Sequence, residues 1–82
     1  MAKSFPKRFI EKNITFARDF NDWVFMHDDA LDGVPRGSSI IFTSPEDPEL
    51  SEANRDIARH NRNQKYVEAY KHGGGWKFKV LK

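Results

Sequence analysis

The sequence predicts one small domain of the α/β (α+β) class, in the order α-β-α-β-β, with a three-stranded mixed sheet packed against two helices. Three observations carry this. Over residues 7–26 the apolar side chains recur at intervals of three and four. Residues 38–50 read as a buried strand that stops at a double-proline turn and runs directly into a helix. Beyond them, two runs of alternating apolar and polar residues flank Gly73, Gly74 and Gly75.

The first helix is expected from Pro6 or Lys7 to about Met26. Phe9, Ile10, Ile14, Phe16, Ala17, Phe20, Trp23 and Val24 form one wide stripe, with Lys12, Arg18, Asp19 and Asp22 elsewhere. Phe25 and Met26 broaden the stripe, as a helix end covered from two sides requires. Residues 27–37 then make a connector. Asp28, Asp29 and Asp32 oppose the negative end of the helix dipole, and Gly33, Pro35 and Gly37 supply turns.

Ile40, Ile41 and Phe42 suit a strand over 38–44 that is covered on both faces, or nearly so. Asp47 is a good N-cap, and Pro48 fits the first helical position because its φ is fixed and its missing N–H is not needed there. Glu46, Glu49 and Glu52 meet the positive end of the dipole. The second helix is expected over 48–62, with Leu50, Ala53, Asn54, Ile57, Ala58 and Asn61 as a narrow packing stripe. Arg55, Arg59 and Arg62 fall on its other side. Residues 66–71 and 76–80 alternate as two antiparallel strands around the glycine turn. A helical crossover makes strand 38–44 parallel to one of that pair.

The string Ile40-Ile41-Phe42-Thr43-Ser44-Pro45-Glu46-Asp47-Pro48-Glu49-Leu50-Ser51-Glu52-Ala53-Asn54 resembles domain-of-unknown-function family 5647, a group of short bacterial and archaeal proteins. Asn13, Phe16, Phe20, Asp28 and Pro35 fall where that family's helix and connector carry similar residues. The resemblance covers roughly residues 9–70. It departs at the three glycines and at Trp76-Lys77-Phe78-Lys79. What it implies is the fold, and it supplies no activity. Some small proteins of this kind are encoded near toxin–antitoxin genes, which adds an antitoxin-like role by analogy only.

Eighty-two residues make a single domain, 1–82, with residues 1–5 expected to be loose. A chain of this size buries only about 60% of its unfolded surface, so a partner or a second copy would add useful buried area. There is no cysteine, which removes disulfides, thiolate metal sites and thiol nucleophiles. No apolar run approaches the ~20 residues of a membrane span, and a soluble cytoplasmic protein is expected. Residues 28–54 hold seven acids against Arg36, a net of −6. Residues 55–82 hold eight Lys or Arg against Asp56 and Glu68, a net of +6.

His27, Asp28 and Asp29 lack a chelating helical spacing, and His60 and His72 lie far away, so no metal or cofactor is expected. Carboxylates at 46, 47 and 49 read as capping groups, and no nucleophile elbow accompanies Ser38, Ser39 or Ser44. No catalytic residue is assigned. The leading expectation is a non-enzymatic protein-interaction module, homodimeric or antitoxin-like, with Trp23, Phe25 and Met26 as the interface. The alternative is a nucleic-acid-binding module. Alternation puts Tyr66, Glu68, Tyr70, Lys77 and Lys79 on one sheet face, where aromatic rings stack bases and lysines neutralise phosphates. Arg55, Arg59 and Arg62 would extend that patch.

Overall fold

The computed structural model describes residues 5–61 and 63–81. The elements are α1 (Lys7–Phe25), β1 (Ser39–Thr43), α2 (Pro48–His60), β2 (Tyr66–His72) and β3 (Gly75–Leu81). This is the predicted α+β order. Helix α2 stops at His60, because Asn61 leaves the helical region with φ −117° and ψ 77°. The sheet order is β1-β2-β3, with β1 parallel to β2 and β3 antiparallel to β2. His72 pairs with Gly75, so the hairpin turn is Gly73-Gly74, and Gly73 takes the positive φ of +62°.

Each helix covers a different face of the sheet. Phe16, Phe20, Trp23 and Val24 of α1 pack against Ile40, Phe42, Ala69, Trp76 and Phe78. Phe20 lies at the centre, its ring centroid 5.3 Å from Trp76, 5.5 Å from Phe42 and 5.8 Å from Phe78. Helix α2 lies on the opposite face, where Ala58 meets Ile41 and Tyr66. The aromatic–lysine face is therefore open only over β3 and the Tyr70 end of β2. Tyr66, expected on an open face, is 7% exposed beneath α2, and Glu68 is buried beside it.

The turn before α2 locks the two helices together. Asp47 Oδ1 accepts from the Leu50 N–H at 3.2 Å, the expected N-cap bond. Its other oxygen accepts from Lys12 Nζ at 2.7 Å, which ties α1 to the start of α2. Ser51 Oγ accepts from the Ser44 N–H at 2.8 Å, closing the turn against the helix.

Strand β1 forms one edge of the sheet. The Ser39 N–H donates to the Lys65 carbonyl at 2.8 Å. In a parallel ladder alternate residues bond to the same neighbour, so Ile41 and Thr43 also face β2 while the main-chain groups of Ile40 and Phe42 point outward. An amide clasp covers the Phe42 end of this edge. Asn13 Nδ2 donates to Asn54 Oδ1 at 3.1 Å, and Asn54 Nδ2 donates to Asn13 Oδ1 at 2.8 Å and to the Phe42 carbonyl at 2.8 Å. Beside the clasp a cleft of about 350 Å³ runs along β1, lined by Ile40, Ile41, Ile57 and Tyr66 among others.

Candidate interaction surface

Helix α1 divides its side chains into three sets. The first is the buried stripe described above. The second is a charged flank satisfied within the chain: Arg8 lies 3.6 Å from Glu49, Lys12 2.7 Å from Asp47, and Asp19 pairs with Lys71. The third faces solvent. It holds Ile10 at 46% and Ile14 at 54% exposure, with Phe25 at 84% and Met26 at 74% where the helix ends. Lys7, Glu11, Arg18 and Asp22 lie along this outer side, and none of them joins an ion pair among the described residues.

Of the three residues expected at an interface, the helix separates one from the other two. Trp23 is half-buried, stacks on His27 with centroids 4.2 Å apart, and reaches Phe78 at 6.3 Å. Phe25 and Met26 follow Val24 by one and two residues. At about 100° of rotation per residue both swing off the buried stripe. Ile10 and Ile14, placed in the core by spacing alone, also lie outside it, because the stripe that the sheet can cover is narrower than the apolar arc. Their exposure was not legible from apolar spacing. The pattern of signed charges at 7, 11, 18 and 22 is the signal that marks this side as an exposed one.

The sheet face expected to bind nucleic acid is reduced to β3 and the Tyr70 end of β2. Tyr70, Lys77 and Lys79 are together there, Tyr70 opposite Lys77 and Glu68 opposite Lys79. Arg55 and Arg59 do not extend the patch as free cations. Arg55 donates to Glu68 Oε2 at 3.1 Å, and Arg59 donates to Glu52 at 2.6 Å and Asp56 at 2.5 Å. The Glu52 hydrogen bond comes first in raising the Arg59 pKa above its ordinary value. Arg62 lies outside the described residues, as do residues 1–4 of the terminus expected to be loose. Phe5 packs on Phe9 at 5.5 Å between centroids.

Glu68 is the one buried carboxylate on that face. Burial pushes its pKa upward. Hydrogen bonds from Thr43 Oγ1 at 2.7 Å and from Arg55, together with the Lys79 charge, outweigh burial and hold it below the usual value. It is thus held as a carboxylate whose Oε2 accepts from both Thr43 and Arg55. Asp47 is also lowered, first by its Lys12 hydrogen bond. Among the described residues no group of three acidic or histidine side chains is placed to hold a metal ion, and no helix is long and apolar enough to cross a membrane.

A family model described as "Family of unknown function (DUF5647)" matches residues 8–80. The chain belongs to this family. The match includes the β2–β3 hairpin, so the glycine turn and Trp76-Lys77-Phe78-Lys79 fall inside DUF5647 rather than departing from it. No curated protein and no solved structure matches the chain. Among the described residues of this DUF5647 member, two surfaces bring apolar or aromatic side chains beside charges in no ion pair: the outer side of α1 with its apolar end, and the strip of Tyr70, Lys77 and Lys79. The first offers apolar area rimmed by both signs of charge. The second offers two cations beside one ring.

Proposed function

We propose that this DUF5647 protein is a cytoplasmic, non-enzymatic protein-interaction module that docks through the outer side and C-terminal end of α1. The observation that carries the reading is the alignment of exposed apolar residues. Ile14 and Phe25 are eleven residues apart, about three turns, so they project within about 20° of one another. Single exposed apolar residues are ordinary on a protein surface. Ile10, Ile14 and Phe25, with Met26 at the helix end, alternate along this side with Lys7, Glu11, Arg18 and Asp22, charges in no ion pair among the described residues, and that mixture of exposed apolar and charged side chains suits a docking surface. The engaged state of Glu68 supports a role without acid–base chemistry.

Among the described residues the nucleic-acid reading keeps Tyr70, Lys77 and Lys79, since Arg55 and Arg59 are paired with carboxylates and Tyr66 is covered. Photocross-linking separates the two. A photoreactive phenylalanine analogue replaces Phe25 in one sample and Lys77 in another, each irradiated in cells expressing the protein. A discrete protein adduct from position 25, with none from position 77, is expected. No adduct from position 25 overturns the interaction reading, and nucleic-acid adducts from position 77 would support the alternative.

A further inference from the structure

We infer that the outer side of α1 is covered by a second copy of this chain, with the two α1 helices antiparallel about a two-fold axis beside Ile14. This rests on the reading of α1 as the docking surface and names its occupant.

The argument is charge complementarity. Along the helix the residues run Lys7, Glu11, Ile14, Arg18 and Asp22, with signs plus, minus, apolar, plus, minus. At 3.6 residues per turn the four charges fall within an arc of about 60°, with Ile14 beside it. A two-fold axis next to Ile14 sets Lys7 opposite Asp22 of the second copy and Glu11 opposite its Arg18. The symmetry repeats both pairs. A parallel, in-register pairing would instead set each charge against its like, so the pattern selects orientation as well as partner. Ile14 then meets its own copy at the axis.

Two features make these charges available. The other charged residues of α1 are already engaged: Arg8 with Glu49, Lys12 with Asp47, Asp19 with Lys71. Lys7–Glu11 and Arg18–Asp22 also have i, i+4 spacing along one helix. They are basic-before-acidic, the weaker orientation, and neither closes an ion pair in the structure. The ends of α1 add to the case. It has no acidic residue in its first turn and no basic one in its last. An antiparallel neighbour brings Asp22 to the basic N-terminal turn and opposes the two dipoles. A single helix face is smaller than the ~800 Å² per partner of a standard interface, so the dimer is weak and sensitive to salt.

Sedimentation velocity of the full chain, from low micromolar to millimolar, tests this. Wild type is expected to show a monomer–dimer equilibrium that weakens with salt. Lys7→Glu should weaken it by about tenfold at low salt, and Lys7→Glu with Asp22→Lys should restore it, because each pair is re-formed with its signs exchanged. Ile14→Glu should abolish the dimer without unfolding the chain, since Ile14 is more than half exposed. A wild-type monomer at millimolar concentration overturns the inference, as does a dimer indifferent to Lys7→Glu. A monomer that still yields an adduct with another protein at Phe25 removes the second copy alone. A monomer with no adduct removes the docking reading too.

Discussion

Replacing Asn54 by Ala tests the structural element that joins both helices to the sheet edge. Asn54 is 2% exposed and takes part in three hydrogen bonds, two with Asn13 and one to the Phe42 carbonyl. At about 1 kcal/mol net for each, the loss approaches 3 kcal/mol. Water entering the open β1 edge re-satisfies part of it, leaving about 2 kcal/mol. For a domain of this length that lowers Tm by roughly 8–16 °C. Asn13→Ala breaks the same reciprocal pair but spares the bond to Phe42, so it should cost less. The double variant should cost little more than Asn54→Ala, giving a coupling of about 1 kcal/mol or more in a double-mutant cycle. Urea and thermal denaturation read all four proteins. Additive single costs, or an Asn54→Ala loss below about 0.5 kcal/mol, would refute the clasp as a connection between helices.

Three other outcomes follow from specific contacts. Asp47 and Glu68 have folded-state pKa values below their unfolded ones, so their stabilisation is present above the ordinary carboxylate values of about 4 and is lost as pH falls through the lowered ones. Melting temperature should therefore drop on the acid side of pH 4, and Glu68→Gln should flatten that drop; an unchanged acid limb in Glu68→Gln contradicts the Thr43–Glu68–Arg55 network. Gly73→Ala meets no atom within 4 Å but forces a side chain to φ +62°, costing about 1 kcal/mol, whereas Gly74→Ala, whose φ is not positive, should melt higher than Gly73→Ala. Phe25→Ser should change folding stability by less than about 0.5 kcal/mol, because the ring is almost wholly in solvent; a large loss in thermal denaturation would mean that the ring packs on the fold.

Local chemistry made much of this fold legible in the sequence. Pro48 after Asp47 marks the start of α2, the three glycines mark the hairpin, and the Phe16–Phe20–Trp23 spacing marks the buried side of α1. The sheet's coverage was not legible, because nothing in the alternation of β2 says on which face the crossover helix lies. That is why Tyr66 and Glu68, polar-face residues by alternation, are beneath α2. Asn13 and Asn54 are forty-one positions apart, and only the meeting of α1 and α2 at the β1 edge brings their amides together. Likewise Arg55 and Arg59 read as a free basic row until their carboxylate partners are in place. On α1, apolar spacing overstated the core by including Ile10 and Ile14. Spacing reports an apolar arc, while burial depends on how wide a strip the sheet covers.

Amide chemical shifts recorded by NMR as the protein is diluted from millimolar to low micromolar test the central claim most directly, since they report both association and its location. The account predicts concentration-dependent shifts at Lys7, Glu11, Ile14, Arg18 and Asp22, and none at Tyr70, Lys77 and Lys79. Shifts confined to the β3 strip, or a spectrum that does not change with dilution, would contradict it.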